Sequence, residues 1–338
     1  MRIIVDAFGG DNAPLEILRG CEMAVNELGI DILLTGDEEK IRACAEENGI
    51  PLSRCEIVSA DSVVEMTDHA EAVIKKKKNS SLAEAMRQLA AGNGDAVVSA
   101  GNTGAVLMGG TFIVKRIRGI KRAALATLLP TNDGGRMMLL DSGANADCRP
   151  EILAQFAMMG NEYMRGFFGI DRPRIGLLNV GTEDTKGGVL QKETFALLKE
   201  MDINFIGNVE ARDALVGVCD VLVTDGFCGN VLLKGIEGTV GTVMDNLKEI
   251  MYASLKTKLA ALVLKPGLRR FKHKLDYTEV GGAPLIGVSA PVIKAHGNSK
   301  AKAFKNAIKQ AVEFANSGAV EAIAAAAKSG KDTDNADA

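Results

Sequence analysis

The segment Ser99-Ala100-Gly101-Asn102-Thr103-Gly104-Ala105 decides the fold class, because it joins a strand pattern to a helix pattern. An apolar run at residues 96–98 precedes it, and residues 106–108 continue as a helix. In open α/β sheets, ligands bind at turns of this kind, beyond the carboxyl ends of the strands. Its glycines allow backbone N–H groups to approach a ligand, and the start of a helix favours an anion. The segment predicts either a phosphate-binding turn or a tight turn with an Asn/Thr cap.

The alternation of strand and helix patterns extends through most of the chain. It predicts an α/β fold with a mostly parallel sheet sandwiched by helices. Strand patterns occur at residues 3–5, 32–34, 56–58, 96–98, 125–129, 137–140, 175–178, 204–206 and 221–223. Helix patterns occur at residues 15–28, 38–47, 82–91, 151–164, 189–200, 300–315 and 319–327.

The chain is predicted to form a single α/β unit at residues 1–328, with a basic amphipathic helical arm at about 236–278. Between Ser254 and Leu275 the sequence has leucines at helical spacing and basic residues, but no acidic residue. This pattern is typical of a helix at a membrane interface, and a helix pair in a dimer core is the alternative. Residues 329–338 are polar and are predicted to be a disordered tail.

Composition excludes several classes of protein. The 338 residues are 47% hydrophobic, which is enough for a large core, and the net charge of −3 argues against a nucleic-acid binder. The six cysteines form no C-x-x-C pair and are read as reduced thiols. No apolar run is long enough to span a membrane, and the first residues lack a signal-peptide pattern. We expect a cytoplasmic protein whose membrane contact is peripheral.

Further polar turns that contain glycine follow strand patterns at residues 6–14, 141–145, 179–186 and 224–230, and residues 296–299 precede a helix. Because the carboxyl ends of parallel strands lie along one edge of a sheet, we expect these turns to converge on one crevice. Their amides, hydroxyls, carboxylates and one lysine suit the binding of an oxyanion and a carbonyl group rather than redox chemistry.

No nucleotide-binding, metal or nucleophile motif is complete. The Ser99 turn lacks G-x-G-x-x-G spacing, and Gly287-Val288-Ser289-Ala290-Pro291 breaks the nucleophile elbow at its last position. Cys228, at a helix start, is read either as a reactive thiol or as a small structural residue. No cofactor and no metal are predicted, with one alternative: four aspartates could hold Mg²⁺, namely Asp6, Asp11, Asp141 and Asp225.

Taken together, the motifs resemble the PlsX family, the acyl-acyl-carrier-protein:phosphate acyltransferases of bacterial phospholipid synthesis. The resemblance covers nearly the whole chain in order. It is carried by Asp6-Ala7-Phe8-Gly9-Gly10-Asp11, Lys76-Lys77-Lys78-Asn79-Ser80-Ser81, the turns above, Gly282-Ala283-Pro284-Leu285 and His296-Gly297-Asn298-Ser299. It implies an isocitrate/isopropylmalate dehydrogenase-like fold, a homodimer, and an arm that projects as a helical hairpin.

The resemblance also implies transfer of a long-chain acyl group from acyl-acyl carrier protein to inorganic phosphate, giving acyl phosphate for phosphatidic acid synthesis. Bound phosphate would attack directly, without a covalent enzyme intermediate. Lys186 and Asn230 match the family's catalytic lysine and asparagine. The residues expected to contact the substrates are Ser99, Asn102, Thr103, Asn145, Thr182, His296, Asn298 and Ser299.

Two surfaces are expected to contact partners. Lys76 and Lys77 lie in a basic run that is either a docking patch for the acidic carrier protein or a solvated flank. The residues expected at an anionic membrane are Leu259, Leu262, Leu264, Arg269 and Arg270. Two other functions stay open: a phosphotransacetylase-like acyltransferase that uses acyl-CoA, and a membrane-associated scaffold for lipid synthesis without turnover.

Overall fold

Eleven strands form one sheet between layers of helices, and nine of these strands are the predicted ones. The computed structural model describes residues 1–275 and 281–334, with side chains described up to residue 267 and from 281 to 328. The strands are β1 (Arg2–Asp6), β2 (Asp31–Gly36), β3 (Cys55–Ser59), β4 (Ala96–Ser99), β5 (Ala124–Pro130), β6 (Arg136–Leu140), β7 (Arg174–Asn179), β8 (Asn204–Glu210), β9 (Val221–Val223), β10 (Ala283–Ile286) and β11 (Val292–Lys294).

The helices also follow the predicted patterns closely. They are α1 (Leu15–Leu28), α2 (Glu38–Asn48), α3 (Ser81–Ala90), α4 (Thr103–Gly109), α5 (Pro150–Phe168), α6 (Val189–Glu200), α7 (Gly226–Tyr252), α8 (Leu255–Leu275), α9 (Ala301–Asn316) and α10 (Ala319–Asp334). Local chemistry accounts for several of their ends. The Asp37 side chain caps α2, Ser80 caps α3, and Gly169 ends α5 in a left-handed conformation that glycine adopts without strain.

The sheet runs in the order β3-β2-β1-β4-β11-β10-β5-β6-β9-β7-β8. Neighbouring strands are parallel except at three pairs, β11 with β10, β10 with β5, and β5 with β6. The strands from β3 to β11 in this order therefore point opposite to those from β6 to β8. The predicted fold class is confirmed, but the expectation that all carboxyl ends lie along one edge is wrong. The strands β10 and β11 are short, and β10 contains Pro284, so the sequence pattern does not predict them.

The register nevertheless brings the opposed carboxyl ends together. Ser99, the last residue of β4, is paired with Lys294, the last residue of β11, and Lys294 is paired with Ala283 at the start of β10. Two residues further along β10, Leu285 is paired with Leu125 of β5.

On the other side of β5, Ala126 is paired with Leu140, the last residue of β6, which is itself level with Val223 at the end of β9. The strands from β3 to β11 and those from β6 to β8 therefore approach from opposite directions and end at nearly the same level of the sheet. The two levels differ by about one residue, which is a rise of about 3.3 Å along a strand. The polar turns of the two halves face each other across the middle of the sheet.

Alternating side chains of the strands enter separate cores on opposite faces of the sheet. Ile3 and Val5 pack into the core that α1, α5 and α9 cover, whereas Ile4 packs into the core covered by α3 and α4. All three side chains are fully buried. This double coverage fixes the strand ends, and with them the turns that follow.

Helices α7 and α8 form the predicted helical hairpin. Leu233 is the last buried side chain of α7, and no described side chain from residue 234 to 267 is buried, so the hairpin projects away from both cores. At the turn, the Ser254 N–H donates to Thr257 Oγ1 and the Thr257 N–H donates to Ser254 Oγ, which starts α8. Helix α8 continues through Pro266. Residues 276–278 of the predicted arm lie outside the described residues.

The last described helix is longer than predicted. Helix α10 extends to Asp334, because the alanine-rich stretch that begins it lets the helix propagate through the polar residues that follow. Residues 329–334 of the predicted tail belong to α10, residues 335–338 lie outside the described residues, and the disorder of the tail stays a prediction. Within the described ranges, every helix is too short or too polar to cross a membrane.

Candidate active site

The turns after β1, β4 and β11 pack against one another without space for larger side chains. A Cβ atom on Gly9 would lie 2.6 Å from Asp6 Oδ2 and 2.7 Å from the Gly101 nitrogen, so only glycine fits there. The Asp11 N–H donates to the Gly297 carbonyl over 2.8 Å, which joins the first turn to the last. One wall of the site is therefore built from three distant parts of the sequence.

The opposite wall is organised by the Asp141 carboxylate at the end of β6. Its Oδ1 accepts hydrogen bonds from the backbone N–H groups of Leu125 and Ala144, each over 3.0 Å, and its Oδ2 accepts one from the Asn145 N–H over 2.7 Å. Burial raises the pKa of Asp141 above its ordinary value, while these hydrogen bonds act in the opposite direction. The carboxylate holds the turn at residues 141–145 in one conformation.

Helix α7 starts against this turn. The Asp225 side chain accepts a hydrogen bond from the Cys228 N–H over 2.9 Å and so caps the helix. A Cβ atom on Gly229 would lie 1.9 Å from the Asp141 carbonyl oxygen, so glycine is required in the first turn of α7. This contact brings Asn230, the next residue, beside Gly143.

The two walls enclose a cavity of about 550 Å³. From the first half it is lined by Asp11, Met66, Thr103, Lys294, Ala295, His296, Gly297 and Asn298. From the strands around β5 and from α7 it is lined by Gly281, Gly282, Ala283, Leu125, Thr127, Leu128, Ser142, Gly143, Asn230, Leu233, Lys234 and Glu237. The predicted convergence on one crevice therefore holds for the turns after β1, β4, β6, β9 and β11. We call this space the polar cavity.

Comparison with known proteins identifies the family. A family model described as fatty acid synthesis protein matches residues 1–322. A phosphate acyltransferase from Lysinibacillus sphaericus is 52% identical over 312 residues, 92% of this chain and 93% of the relative. One from Bacillus licheniformis is 51% identical over 315 residues, 93% of this chain and 94% of the relative. The chain belongs to this family. It is an acyltransferase, and the resemblance to the PlsX family is confirmed.

Solved structures of distant sequence share the fold of this acyltransferase. A phosphotransacetylase from Streptococcus pyogenes superposes with a TM-score of 0.61 at 18% identity, over 95% of this chain and 94% of that structure. A 4-hydroxythreonine-4-phosphate dehydrogenase from Klebsiella pneumoniae has a TM-score of 0.53 at 13% identity, over 93% and 99% of the two chains. At these identities the similarity concerns the fold alone.

Four of the predicted site residues of the acyltransferase line the polar cavity: Thr103, Asn230, His296 and Asn298. The side-chain amide of Asn230 has no hydrogen-bond partner among the described residues, and it is free to bind a ligand. The His296 Nδ1 accepts the Asn298 N–H over 3.4 Å, which leaves the proton of a neutral imidazole on Nε2. Both side chains are therefore available as donors.

Two other predicted residues, Ser99 and Asn102, use their side chains inside the protein. Ser99 Oγ donates to Asp6 Oδ2 over 2.7 Å and accepts the Gly101 N–H. The Asn102 Nδ2 donates to the carbonyls of Met66 and Asp68, each over 3.0 Å. Asn102 also caps α4, since its Oδ1 accepts the Ala105 N–H. For the Ser99 turn, these contacts match the capped-turn interpretation.

Asn145 is likewise occupied, since its Nδ2 donates to the Ala123 carbonyl and to Asp141 Oδ2, each over 2.8 Å. Ser299 is buried, and its backbone N–H donates to the His296 carbonyl over 3.0 Å. These two residues hold the turns that carry the cavity-lining side chains.

Lys186 and Thr182 lie in the turn after β7 and do not line the polar cavity. The Lys186 Nζ lies 3.8 Å from Glu183 Oε1, and its side chain is half-exposed. Residues on either side, Asn179 and Gly187, line a second cavity instead. The role of Lys186 stays a prediction.

That second cavity lies on the other side of the first turns of α7 and has a volume of about 930 Å³. Its lining is mostly apolar and includes Leu178, Leu215, Val231, Leu232 and Ile236. Exposed apolar side chains surround it, among them Val180 and Phe227. We call it the apolar groove.

The structure separates the two predicted docking lysines. Lys76 is exposed. Lys77 is half-buried, with its Nζ 2.6 Å from Asp68 Oδ2 and 2.7 Å from the Val63 carbonyl oxygen. Lys77 therefore anchors the segment that Asn102 also holds. The docking patch would require a free surface charge at this position, and Lys77 is not one.

On the hairpin, Leu259, Leu262 and Leu264 are exposed as predicted, whereas the side chains of Arg269 and Arg270 lie outside the described part of the structure.

The Cys228 thiol does not have the low pKa that the interpretation as a reactive thiol requires. Burial, with the nearby Asp225, raises its pKa to about 11, so it stays protonated at neutral pH.

The four aspartates considered for Mg²⁺ do not come together. Within the described residues, no group of three histidine, cysteine, aspartate or glutamate side chains has the spacing of a metal site.

Sequence reasoning missed Lys294, a cavity residue at the end of β11. Among the described side chains it is the one buried lysine or arginine. Burial lowers its pKa to about 8, although Asp11 and Asp6 act in the opposite direction. The available signal was a single lysine inside the apolar run Pro291-Val292-Ile293-Lys294-Ala295, a position where a solvated lysine is not expected.

Proposed function

We propose that this acyltransferase moves a long-chain acyl group from acyl-acyl carrier protein to inorganic phosphate, giving acyl phosphate for phosphatidic acid synthesis. The observation that carries the proposal is the content of the polar cavity. Among the described residues it combines an unpartnered amide, an imidazole, a threonine hydroxyl and a buried ammonium, but no cysteine and no serine with a free hydroxyl. The names of the relatives, phosphate acyltransferases, support phosphate as the acceptor.

The cavity has one serine, Ser142, and its hydroxyl is engaged by the protein. Its Oγ donates to the Leu125 carbonyl over 2.9 Å and accepts from Thr127 Oγ1 over 2.8 Å. A covalent acyl-enzyme would require an activated hydroxyl or thiol beside a base. Phosphate is already anionic near neutral pH and can attack without such activation.

In the proposed mechanism, a phosphate oxygen attacks the thioester carbonyl carbon, the C–S bond breaks, and the carrier protein leaves as a thiolate that takes a proton from water. Thr103, His296 and Asn298 hold phosphate on one wall. On the facing wall, the Asn230 amide donates to the carbonyl oxygen as it becomes an oxyanion. Orientation and donors fixed in advance would supply most of the rate enhancement.

Lys186 enters this scheme only if its turn moves or if a second copy brings it to the cavity. We propose a homodimer in which a second copy covers the apolar groove. The exposed apolar side chains at its rim, Val180, Phe227 and Val231, support this arrangement because contiguous apolar surface of this kind marks an interaction site.

The proposal further assigns the carrier protein to the exposed Lys76 surface and an anionic membrane to the hairpin. The exposed leucines of α8 alternate with Lys256, Lys258 and Lys265, which favours binding to an anionic bilayer surface. The enzyme would then work in the cytoplasm as a peripheral membrane protein. The hairpin leucines are the feature that supports this location.

The test uses purified protein with long-chain acyl-acyl carrier protein in the presence and absence of phosphate. We expect free carrier protein and acyl phosphate only when phosphate is present. Release without phosphate would contradict direct attack. A preference for short acyl-CoA would instead favour the activity for which the phosphotransacetylase neighbours are named. No turnover with either donor would favour the scaffold.

A further inference from the structure

Lys294 is a buried cation in the wall of the polar cavity, and no acidic partner neutralises it directly. Only 7% of the residue is exposed. Its Nζ donates to the Ala100 carbonyl over 3.3 Å and to the Ala295 carbonyl, both neutral acceptors. Among the described residues, no carboxylate oxygen forms an ion pair with it. A buried charge without a paired counter-charge costs several kcal/mol, on the order given for uncompensated buried ions.

The ammonium has one donor left for a ligand. It carries three N–H groups, and the two carbonyls take two of them. Because Lys294 lines the cavity, the third is placed to meet a molecule that occupies this space. An anion in the cavity would provide the direct ion pair that the described carboxylates do not form with Lys294.

We propose that Lys294 is a further catalytic residue, which binds the acceptor phosphate through its third N–H and balances the charge of the phosphate during acyl transfer. This inference rests on the proposed function and adds to it the cation that the acceptor needs. His296 and Asn298 follow Lys294 directly in the chain and line the same wall, while Asn230 faces them from α7. Phosphate held by Lys294 thus lies between these two sets of donors.

The charges around Lys294 predict how phosphate binding depends on pH. Asp6 faces it from β1 and Asp11 from the following turn, and both favour the ammonium form. His296 lies on its own segment, and Lys234 and Glu237 lie on α7 across the cavity. Burial outweighs the two aspartates, so the pKa of Lys294 is lowered to about 8. As pH rises through this value the ammonium loses its proton, and phosphate binding is expected to weaken.

A purely structural role for Lys294 is the competing explanation, because it ties the carbonyls of Ala100 and Ala295 together. The two roles differ in what a neutral side chain of similar length does. Lys294→Met removes the charge and keeps most of the volume, whereas Lys294→Arg keeps a cation at every accessible pH. Lys309→Met, at an exposed position on α9, controls for the loss of a lysine elsewhere.

The experiment measures phosphate binding by calorimetry and kcat/KM for phosphate from pH 7 to 9.5, together with thermal stability and KM for the acyl donor. For Lys294→Met we expect kcat/KM for phosphate to fall about 100-fold or more, as for loss of a charge-stabilising donor. We also expect no detectable phosphate binding and an unchanged KM for the acyl donor. Wild type should lose activity above about pH 8, and Lys294→Arg should retain a flat profile at reduced activity.

Unchanged phosphate binding by a folded Lys294→Met protein would overturn the assignment, as would a flat wild-type profile from pH 7 to 9.5. If Lys294→Met does not fold, the pH profiles of kcat/KM for phosphate in wild type and Lys294→Arg still test the assignment. Phosphate binding that depends on Lys294, in a protein without acyl transfer to phosphate, would disprove the proposed function and leave the binding site standing. Acyl transfer to phosphate, with phosphate binding that does not depend on Lys294, would support the proposed function and disprove the role of Lys294.

Discussion

The polar cavity lies at the start of α7 and the tip of the helical hairpin lies at its other end, and the two regions use their side chains in opposite ways. Around the cavity, polar side chains such as Asp141, Ser99 and Asn102 turn inward and bind backbone groups. On the hairpin, apolar side chains such as Leu259 and Val263 turn outward, with 66% and 81% of each exposed. Buried hydrogen-bond networks fix geometry, as a catalytic site requires. Exposed leucines on a projecting helix need a second surface, as a binding element does.

The largest expected effect tests whether the Asp141 network holds the cavity. Asp141→Ala leaves several buried N–H groups without an acceptor, and each costs about 1 to 3 kcal/mol. We expect the free energy of unfolding to fall by about 3 kcal/mol or more, with activity lost in parallel, measured by denaturant titration and acyl-transfer assay. Asp147→Ala, exposed in the same segment, should change neither. Wild-type stability in Asp141→Ala would mean that the turn does not depend on the carboxylate.

The next prediction separates chemistry from folding at the start of α7. Asn230→Ala should lower kcat by about 100- to 1,000-fold, because it removes a donor from the oxyanion. Its thermal stability should equal that of wild type, since the amide has no partner among the described residues. Asn246→Ala, further along the same helix, is the control and should leave kcat unchanged. Turnover close to wild type in Asn230→Ala would remove Asn230 from the mechanism.

Substitutions on the hairpin should weaken membrane binding without changing turnover. Leu259→Glu and Leu262→Glu should each weaken binding to anionic vesicles about tenfold or more, because burying a leucine contributes roughly 1.5 to 3 kcal/mol. Turnover of soluble substrates should not change, since no described hairpin residue beyond Glu237 lines the polar cavity. Flotation with vesicles and size-exclusion chromatography measure the two effects.

Ala260→Glu adds the same charge at a neighbouring exposed position and controls for repulsion from the lipid. Retained flotation together with a change of oligomeric state would instead assign the leucines to a dimer core.

The smallest expected effect concerns two adjacent lysines. Lys76→Glu should raise KM for acyl-acyl carrier protein by no more than about fivefold, in a salt-sensitive manner, because exposed ion pairs contribute about 1 kcal/mol or less. Lys77→Glu should lower thermal stability, because Lys77 bonds to Asp68 and the Val63 carbonyl. An unchanged KM in Lys76→Glu would support the alternative interpretation, in which this basic run is a solvated flank.

The sequence predicted the elements well because their signals are local. The apolar run inside Arg2–Asp6 and the capping residues of α2 and α3 depend only on nearby sequence. The strands β10 and β11 escaped, because a strand of four residues with a proline and one of three residues carry too little pattern. Without these two strands, the sequence could not predict the reversal of strand direction at β5 and β10.

For the site, the sequence determined which chemical groups collect at strand ends and which family carries them. The tertiary structure decided which of these groups are free. A serine or an asparagine in a turn binds either a ligand or its own backbone, and the choice depends on neighbours distant in sequence, as with Ser99 and Asp6. Likewise, only the packed sheet buries Lys294 and places it in the cavity, because β11 pairs on one side with β10, which is close to it in sequence, and on the other side with β4, which is far from it in sequence.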